Sequence, residues 1–243
     1  MAGTAAMTEN PEKPKKFYKT VSIENSEREF EIHLDGRPLK NGAGESLSIR
    51  TKPLAQAIAQ EWRQQDEEID RAAMPITAMT TAAAHTEKAD QWRQDVIDYL
   101  RSDLLCYRAE KPRELASRQS DRWDPYLEWV NSIAGAPLAV TAGVMAIEQS
   151  EDVINNIAQL LTPATPEELL ALRTLTALTG SAVLALALWK GDHDPESVFY
   201  ASRVDETFQA EQWGRDSEAL AREKAMQTEF LQCAMFLKLV SSK

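Results

Sequence analysis

The spacing of apolar residues changes near residue 50, from every second position to every third or fourth. In residues 30–34 apolar side chains alternate with Glu and His, which is typical of a strand with one buried face. Residues 17–23 hold an earlier apolar run, Asp-Gly-Arg-Pro at 35–38 predicts a turn, and residues 47–50 could add another strand. The first part of the chain therefore predicts a small antiparallel sheet.

Beyond this sheet the apolar spacing is that of amphipathic helices. One stripe from Leu54 to Ile69 predicts a single long helix packed on the sheet. Two later helices have clear start signals, Thr-Pro-Glu-Glu at 165–168 and Asp-Pro-Glu at 194–196, each with a capping side chain, a proline and early carboxylates. The predicted helices after residue 75 cover about 88–104, 113–134, 151–162, 166–179, 181–190, 195–211 and 215–240.

This order of elements predicts an α+β fold in which strands and helices are segregated. We expect a small N-terminal antiparallel-sheet α/β domain over residues 17–85 and an all-helical C-terminal domain over residues 86–243. The seam should lie between Pro75 and Lys88. Residues 1–16 contain charges and prolines without a periodic apolar pattern, so they are expected to form a disordered lead-in.

The charge of the chain narrows the class of partner. Its 243 residues include 38 acidic and 27 basic side chains, which gives a formal net charge of -11. Such a surface repels phosphate backbones and anionic lipids on average, so we expect no nucleic-acid partner. The surplus of carboxylates favours a protein partner that presents Lys and Arg.

No segment predicts a membrane span or a secretion signal. The most apolar run, residues 182–189, is too short to cross a bilayer and predicts a buried helix. Residues 1–16 lack the apolar core of a signal peptide, and Cys106 and Cys233 read as buried free thiols of a reducing compartment. We expect no membrane insertion and a cytoplasmic location, or the mitochondrial matrix for a processed eukaryotic form.

A search for catalytic, nucleotide-binding and metal-binding motifs finds no match. Gly-Ala-Gly-Glu at 42–45 lacks the lysine of a phosphate-binding loop and predicts a turn. His33, His85 and His193 lack the spacing that would place two imidazoles on one metal. No serine lies in a nucleophile elbow, and neither cysteine has a base in its context. We therefore expect no enzyme activity, no metal and no cofactor.

Several unusual clusters remain, and they occur in a fixed order along the chain. They are Leu-Asp-Gly-Arg-Pro-Leu-Lys at 34–40, Ala-Ile-Ala-Gln-Glu-Trp at 57–62, Asp-Leu-Leu-Cys-Tyr-Arg at 103–108, Trp-Asp-Pro-Tyr-Leu-Glu-Trp at 123–129, Ala-Val-Leu-Ala-Leu-Ala-Leu at 182–188, Ala-Ser-Arg-Val-Asp-Glu-Thr-Phe-Gln at 201–209, and Trp-Gly at 213–214. Together they resemble the F-type ATP synthase alpha-subunit assembly chaperones of mitochondria and alpha-proteobacteria. The similarity covers about residues 17–237.

This resemblance implies a two-domain protein whose helical C-terminal domain is an orthogonal bundle, with no catalytic activity. The partner it implies is the free alpha subunit, whose interface is shielded until the beta subunit replaces the chaperone. The family's Asp-Glu-x-Phe-Gln segment carries over to Asp205, Glu206, Phe208 and Gln209. The chain departs from the family in having Tyr126 where a leucine is common.

The candidate partner-binding residues are Arg203, Asp205, Glu206, Gln209 and Trp213, on a chain expected to be a monomer. Glu206 falls outside the inward stripe of its helix, which predicts exposure. Further candidate anchors, with core packing as the alternative, are Trp62, Trp123, Trp129 and Arg108. A helical adaptor or scaffold with another protein client suits the same composition, so this alternative stays open.

Overall fold

The computed structural model describes residues 13–26, 29–143, 145–190 and 193–242. The chain divides into two compact units, Met1–Ala78 and Met79–Lys243. This division lies inside the seam expected between Pro75 and Lys88. The α+β class is confirmed, with a small antiparallel sheet preceding a helical region.

The first unit is built on a three-stranded antiparallel sheet. Its strands are β1 (Val21–Ser26), β2 (Glu29–Leu34) and β3 (Arg37–Pro38), in the order β1-β2-β3. The two residues between β2 and β3, Asp35 and Gly36, both have positive φ, as a tight type I′ hairpin demands. The predicted turn is therefore the connection of a hairpin.

Two of the predicted strands are longer than the strands in the structure. The expected run over residues 17–23 becomes a strand only at Val21, because residues 19 and 20 turn their N–H groups to the Asp35 carboxylate at 2.8 to 3.1 Å. Residues 47–50 do not form a continuous strand. Ile49 alone exchanges two backbone hydrogen bonds with Phe30, at 2.8 and 2.9 Å.

Helix α1 (Lys52–Arg63) packs on the sheet but is shorter than predicted. The prediction that it continues to Ile69 is wrong. Gln65 diverts the chain, because its side-chain amide donates to the Glu61 carbonyl at 3.0 Å and its side-chain oxygen accepts from the Asp70 N–H at 2.6 Å. Ile69 lies in the loop after α1 and is still buried. It packs in the core cluster of the first unit with Tyr18, Leu34 and Met74.

Residues 13–16 are held to the segment that follows α1. The Lys16 N–H donates to the Glu67 carbonyl and the Ile69 N–H to the Pro14 carbonyl, both at 2.8 Å. The Lys13 ammonium lies 2.7 Å from the Asp70 carboxylate. Residues 13–16 therefore do not belong to the disordered lead-in predicted over residues 1–16, and residues 1–12 lie outside the described part of the chain.

Helix α2 (Pro75–Ala83) was not predicted. Its N-terminus is capped by the Glu61 carboxylate, which accepts from the N–H groups of Ile76 and Thr77 at 2.8 and 2.7 Å and from the Thr77 hydroxyl at 2.6 Å. A carboxylate at a helix N-terminus satisfies unpaired N–H groups and favours the helix dipole. Because this cap comes from another helix, the local sequence carries no sign of it.

In the described residues of the second unit, the regular elements are helices apart from a two-residue parallel pairing of β4 (Tyr107–Arg108) with β5 (Thr141–Ala142). Residues 182–187 of helix α7 are fully buried, and this helix contacts α3, α4, α6 and α10. The helices are α3 (Ala89–Leu100), α4 (Arg113–Ala134), α5 (Glu151–Leu161), α6 (Pro166–Thr179), α7 (Ala182–Trp189), α8 (Pro195–Ala201), α9 (Val204–Trp213) and α10 (Ser217–Ser241).

The helix predicted over residues 195–211 is two helices, α8 and α9, so that prediction is wrong. Helix α8 ends after Ala201, where the buried Ser202 turns its hydroxyl to the Phe199 carbonyl at 2.7 Å. Arg203 then has a non-helical backbone before α9 begins. The inward stripe across both helices nonetheless holds, because Val198, Ala201, Val204 and Phe208 are all buried.

A buried carboxylate fixes the start of α7. Asp103 accepts from the Leu105 N–H and the Val183 N–H, both at 3.0 Å, and from the Ser181 hydroxyl at 2.8 Å. Complete burial raises the pKa of Asp103 to about 6, although these donors act in the opposite direction. Within the described ranges, none of the helices has both the length and the apolar character that a membrane crossing needs.

Candidate functional site

Helix α9 has one buried face and one exposed face. Val204 and Phe208 are buried on the side that contacts α4, and the Arg118 guanidinium lies 5.2 Å from the centre of the Phe208 ring. Glu206 and Gln209 are exposed on the other side. This exposure confirms the prediction made for Glu206 from the helical stripe.

Trp213 ends α9 as the most exposed of the large apolar side chains in the described residues, with a relative exposure of 80%. Gly214 follows with a φ of 80°, and its N–H donates to the Ala210 carbonyl at 2.8 Å. The positive φ favours glycine and closes the helix there. The indole is therefore presented to solvent at a fixed helix end.

The first half of α10 has no buried residue. The thirteen residues 217–229 are all half-buried or exposed, and Leu220 is one of the exposed apolar side chains. Burial begins at Phe230 and continues through Leu237, where the helix packs on α6, α7 and α8. A helix in a globular domain usually buries one stripe along its length. The first half of α10 therefore leaves most of its surface exposed, and we call it the exposed half of α10.

A groove of about 470 Å³ runs between α9 and this exposed half of α10. Four of the five predicted partner-binding residues line it: Arg203, Glu206, Gln209 and Trp213. We call it the α9–α10 groove. The fifth, Asp205, lines an adjoining cavity of about 370 Å³, which shares Arg203, Glu206 and Met226 with the groove.

The charged side chains of the α9–α10 groove are paired within the chain. Arg203 pairs with Glu206, Arg215 with Glu223, and Arg222 with Glu218. Asp216 caps α10 by accepting from the Ala219 N–H at 2.7 Å. The groove therefore presents compensated charge around Trp213, Ala210 and Met226.

Asp205 has an internal partner as well. It is half-buried, and its carboxylate accepts from the side-chain amide of Gln119 at 2.7 Å. Gln119 is buried on α4, and its side-chain oxygen accepts from the Ala109 N–H at 2.7 Å. These bonds position α9 on α4, so the contacts indicate a supporting role for Asp205. Its part in partner binding stays a prediction.

Two other candidate anchors, Trp123 and Arg108, have internal contacts. Trp123 is buried, and its indole N–H donates to the Ala201 carbonyl at 2.7 Å. Arg108 lies with its guanidinium 5.0 Å from the centre of a Trp123 ring and 2.7 Å from Asp124. Trp123 therefore belongs to the core, and the contacts of Arg108 favour a supporting role, while its part in partner binding stays a prediction.

Trp62 and Trp129 are both half-buried. Trp62 packs against the core cluster of the first unit and accepts a hydrogen bond at its carbonyl from the Tyr18 hydroxyl at 2.6 Å. Trp129 lies edge-on to His193, with 5.6 Å between ring centroids. Both positions fit core packing more closely than a free anchor.

Each of the three described histidines has its own local neighbours. His33 is 3.0 Å from Glu31, His85 is exposed beside Glu87, and His193 lies against Tyr126. Within residues 13–26, 29–143, 145–190 and 193–242 there is no group of three or more His, Cys, Asp or Glu side chains suited to a metal ion. The glycine motif at 42–45 is a turn closed by Asn41, whose side chain accepts two backbone N–H groups at 3.0 Å.

The exposed half of α10 is not among the predicted features, although the sequence carries a signal for it. Residues 217–229 contain good helix formers but only two large apolar residues, Leu220 and Met226, which are not at the spacing of a buried stripe. Residues 230–237 resume that spacing. When a helix lacks its apolar stripe over three turns, the pattern predicts that those turns are exposed to solvent.

Comparisons with known proteins agree on one family. A family model described as ATP12 chaperone protein matches residues 15–131. A point mutant of Atp12p from Paracoccus denitrificans is 34% identical, with a TM-score of 0.90, and the match covers 93% of this chain and 98% of that chain. The crystal structure of Atp12 from the same organism is 35% identical, with a TM-score of 0.88 and the same coverage.

A third solved structure, a protein from Agrobacterium tumefaciens, is 38% identical with a TM-score of 0.87. That match covers 93% of this chain and 86% of the Agrobacterium chain. Both units of the present chain are thus represented in its relatives. The chain belongs to the ATP12 chaperone family.

Proposed function

We propose that this protein is a non-enzymatic chaperone of F-type ATP synthase assembly, which binds the free alpha subunit and shields its interface until the beta subunit replaces it. Membership of the ATP12 chaperone family supports the chaperone role. The collinear motifs of residues 34–40, 103–108 and 201–209 support the alpha subunit as the client, through the resemblance described above.

The α9–α10 groove and the exposed half of α10 support this function most directly. A chaperone of assembly has to cover an apolar subunit interface and release it later. Trp213 and Leu220 are exposed and Met226 is half-buried, so these three side chains offer apolar contact area along this surface. This surface is the docking site that we assign to the client.

The pairing of charges determines the kind of contact that the groove makes. Because Arg203, Arg215 and Arg222 each have a carboxylate partner, a carboxylate of the client would have to compete with that partner for each cation of the groove. Trp213 then serves as the anchor, with the ion pairs forming a polar rim. Interfaces of this type take most of their affinity from a few aromatic anchors inside a polar surround.

Substitution of the anchor tests the proposal. We expect Trp213→Ala to reduce capture of co-expressed, tagged alpha subunit by about tenfold or more, the usual effect of removing an aromatic hot spot. The indole is exposed, so the thermal melt should not change. Phe17→Ala is the matched control, because Phe17 is a second exposed aromatic but lies in the first unit.

Equal capture by Trp213→Ala and wild type would remove the groove as the docking site. Capture of a different protein from native lysate, with no enrichment of alpha subunit, would favour the adaptor or scaffold function instead.

A further inference from the structure

A second groove, of about 590 Å³, lies between the end of α7 and the C-terminal half of α10. It shares no lining residue with the α9–α10 groove. We call it the α7–α10 groove. The role proposed for the first groove leaves this one without an explanation.

One wall of the α7–α10 groove is apolar and held in place. Trp189 is fixed because its indole N–H donates to the Glu168 carboxylate at 2.9 Å, and Ser241 donates to the same oxygen at 2.7 Å. The other Glu168 oxygen accepts from the Thr165 N–H at 2.9 Å. Met235 faces solvent with a relative exposure of 59%. The groove thus offers a fixed aromatic surface beside a flexible thioether.

The charge of this groove is opposite to that of the unit around it. Residues 79–243 include 25 acidic and 16 basic side chains, a net charge of -9. The groove is nevertheless lined by Lys190, Lys238 and His193, with no Asp or Glu among the lining residues. In the described chain neither lysine has an ion-pair partner, and the Lys190 ammonium lies 3.8 Å from the centre of a Trp189 ring.

His193 adds an unused polar atom. Its Nε2 is buried and has no hydrogen-bond partner within the described residues. The ring lies against Tyr126, with 4.6 Å between centroids. The neighbouring Asp194 is engaged in capping α8, where it accepts from the Ser197 N–H at 2.9 Å and from the Ser197 hydroxyl at 3.1 Å. Buried polar atoms are usually satisfied, so an unpaired nitrogen beside this groove is unusual.

We propose that the α7–α10 groove binds an acidic, amphipathic segment of a protein partner. Carboxylates of that segment pair with Lys190 and Lys238, and its apolar side chains contact Trp189 and Met235. The apolar wall favours a peptide over a small inorganic anion, because a small anion would leave the apolar side chains of that wall exposed to water. Two lysines are also fewer than the four to eight basic residues with which proteins recognise anionic membranes.

Two labelled probe peptides of equal length test this proposal, one made of Leu and Glu and the other of Leu and Lys. Binding to the full chain is measured by fluorescence anisotropy. On a protein of net charge -11, unspecific attraction favours the lysine peptide. A preference for the glutamate peptide therefore reports a local basic site.

We expect wild type to prefer the glutamate peptide and the double variant Lys190→Glu/Lys238→Glu to bind it about tenfold more weakly or worse, because two close charge contacts become repulsive. Lys224→Glu is the matched control, since Lys224 is an exposed lysine of α10 outside this groove. It should bind like wild type. If the double variant does not fold, Lys190→Gln/Lys238→Gln should weaken binding in the same direction.

Preference for the lysine peptide, no binding of either peptide, or an equal loss with Lys224→Glu would each overturn the proposal. So would full competition by inorganic phosphate, or binding to anionic phospholipid vesicles in place of the peptide. None of these measurements contains the alpha subunit, so they leave the function proposed for the α9–α10 groove untouched.

Discussion

At the scale of single residues, hydrogen bonds and ion pairs within the chain determine which candidate side chains are available to a protein partner. Asp205 and Glu206 are neighbours in one motif, yet Asp205 is tied to Gln119 while Glu206 stays exposed and pairs with Arg203. The helical stripe predicts the exposure of Glu206, because that depends only on spacing. The partner of Asp205 comes from 86 residues away, so no local pattern could reveal it.

Charge reversal at Glu206 is expected to weaken capture of the alpha subunit. Glu206→Lys places a second cation beside Arg203, which should distort the groove and lower capture about fivefold, while a surface pair of this kind contributes only about 1 kcal/mol or less to folding. The double variant Arg203→Glu/Glu206→Arg restores a pair of opposite charges. We expect it to recover most of the capture.

Pull-down of tagged alpha subunit by the three proteins, with thermal melts as the folding control, checks this expectation. A swap variant that melts like wild type but still fails to capture would instead mean that Glu206 contacts a basic patch of the client directly.

Asp103 should make stability depend on pH in the mildly acidic range. Burial raises its pKa from 3.8 to about 6, so between these values the folded state binds more protons than the unfolded state. Stability therefore falls as pH rises from about 4 to about 6, by about 3 kcal/mol at most from this group. Above that range its contribution is constant.

The measurement is urea unfolding of wild type and Asp103→Asn across this pH range. Asparagine loses one acceptor, so the variant is less stable throughout, but it cannot titrate. The stability difference between the two proteins should shrink as pH rises. A difference that is constant from pH 4 to 6 would show that Asp103 keeps an ordinary pKa.

At the scale of elements, the sequence predicts a helix well where its caps and its stripe are local. Helix α6 coincides with the prediction because Thr165 and Glu168 form a capping box within four residues. Helix α4 also has its predicted bounds, ending at Gly135 with a φ of 70°. The predictions fail where a distant group ends or starts the helix. Gln65 stops α1 through Asp70, and Glu61 starts α2.

The segment before β1 offers a test at this scale. Removal of residues 1–16 deletes the hydrogen bonds of Pro14 and Lys16 and the Lys13 ion pair, and should lower the melting temperature of the chain by about 5 °C or more. Removal of residues 1–12 is the control and should leave the melt unchanged, since that segment has no apolar periodicity. Identical melts for both truncations would show that these contacts contribute nothing.

At the scale of the whole molecule, net charge and exposed apolar surface lie in the same unit. Residues 79–243 carry a net charge of -9 and residues 1–78 only -2, while the α9–α10 groove and the exposed half of α10 belong to the more acidic unit. Negative charge keeps a surface with exposed apolar residues soluble between binding events. This combination suits a protein that holds a client and then releases it.

The function proposed for this chain is to hold the free alpha subunit until the beta subunit takes its place. The most direct measurement immobilises the tagged chain with co-expressed alpha subunit and then adds purified beta subunit. We predict that the alpha subunit is retained in buffer alone and elutes together with the beta subunit, while the chaperone stays on the resin. If no alpha subunit is retained, or if the beta subunit binds without releasing it, the claim is contradicted.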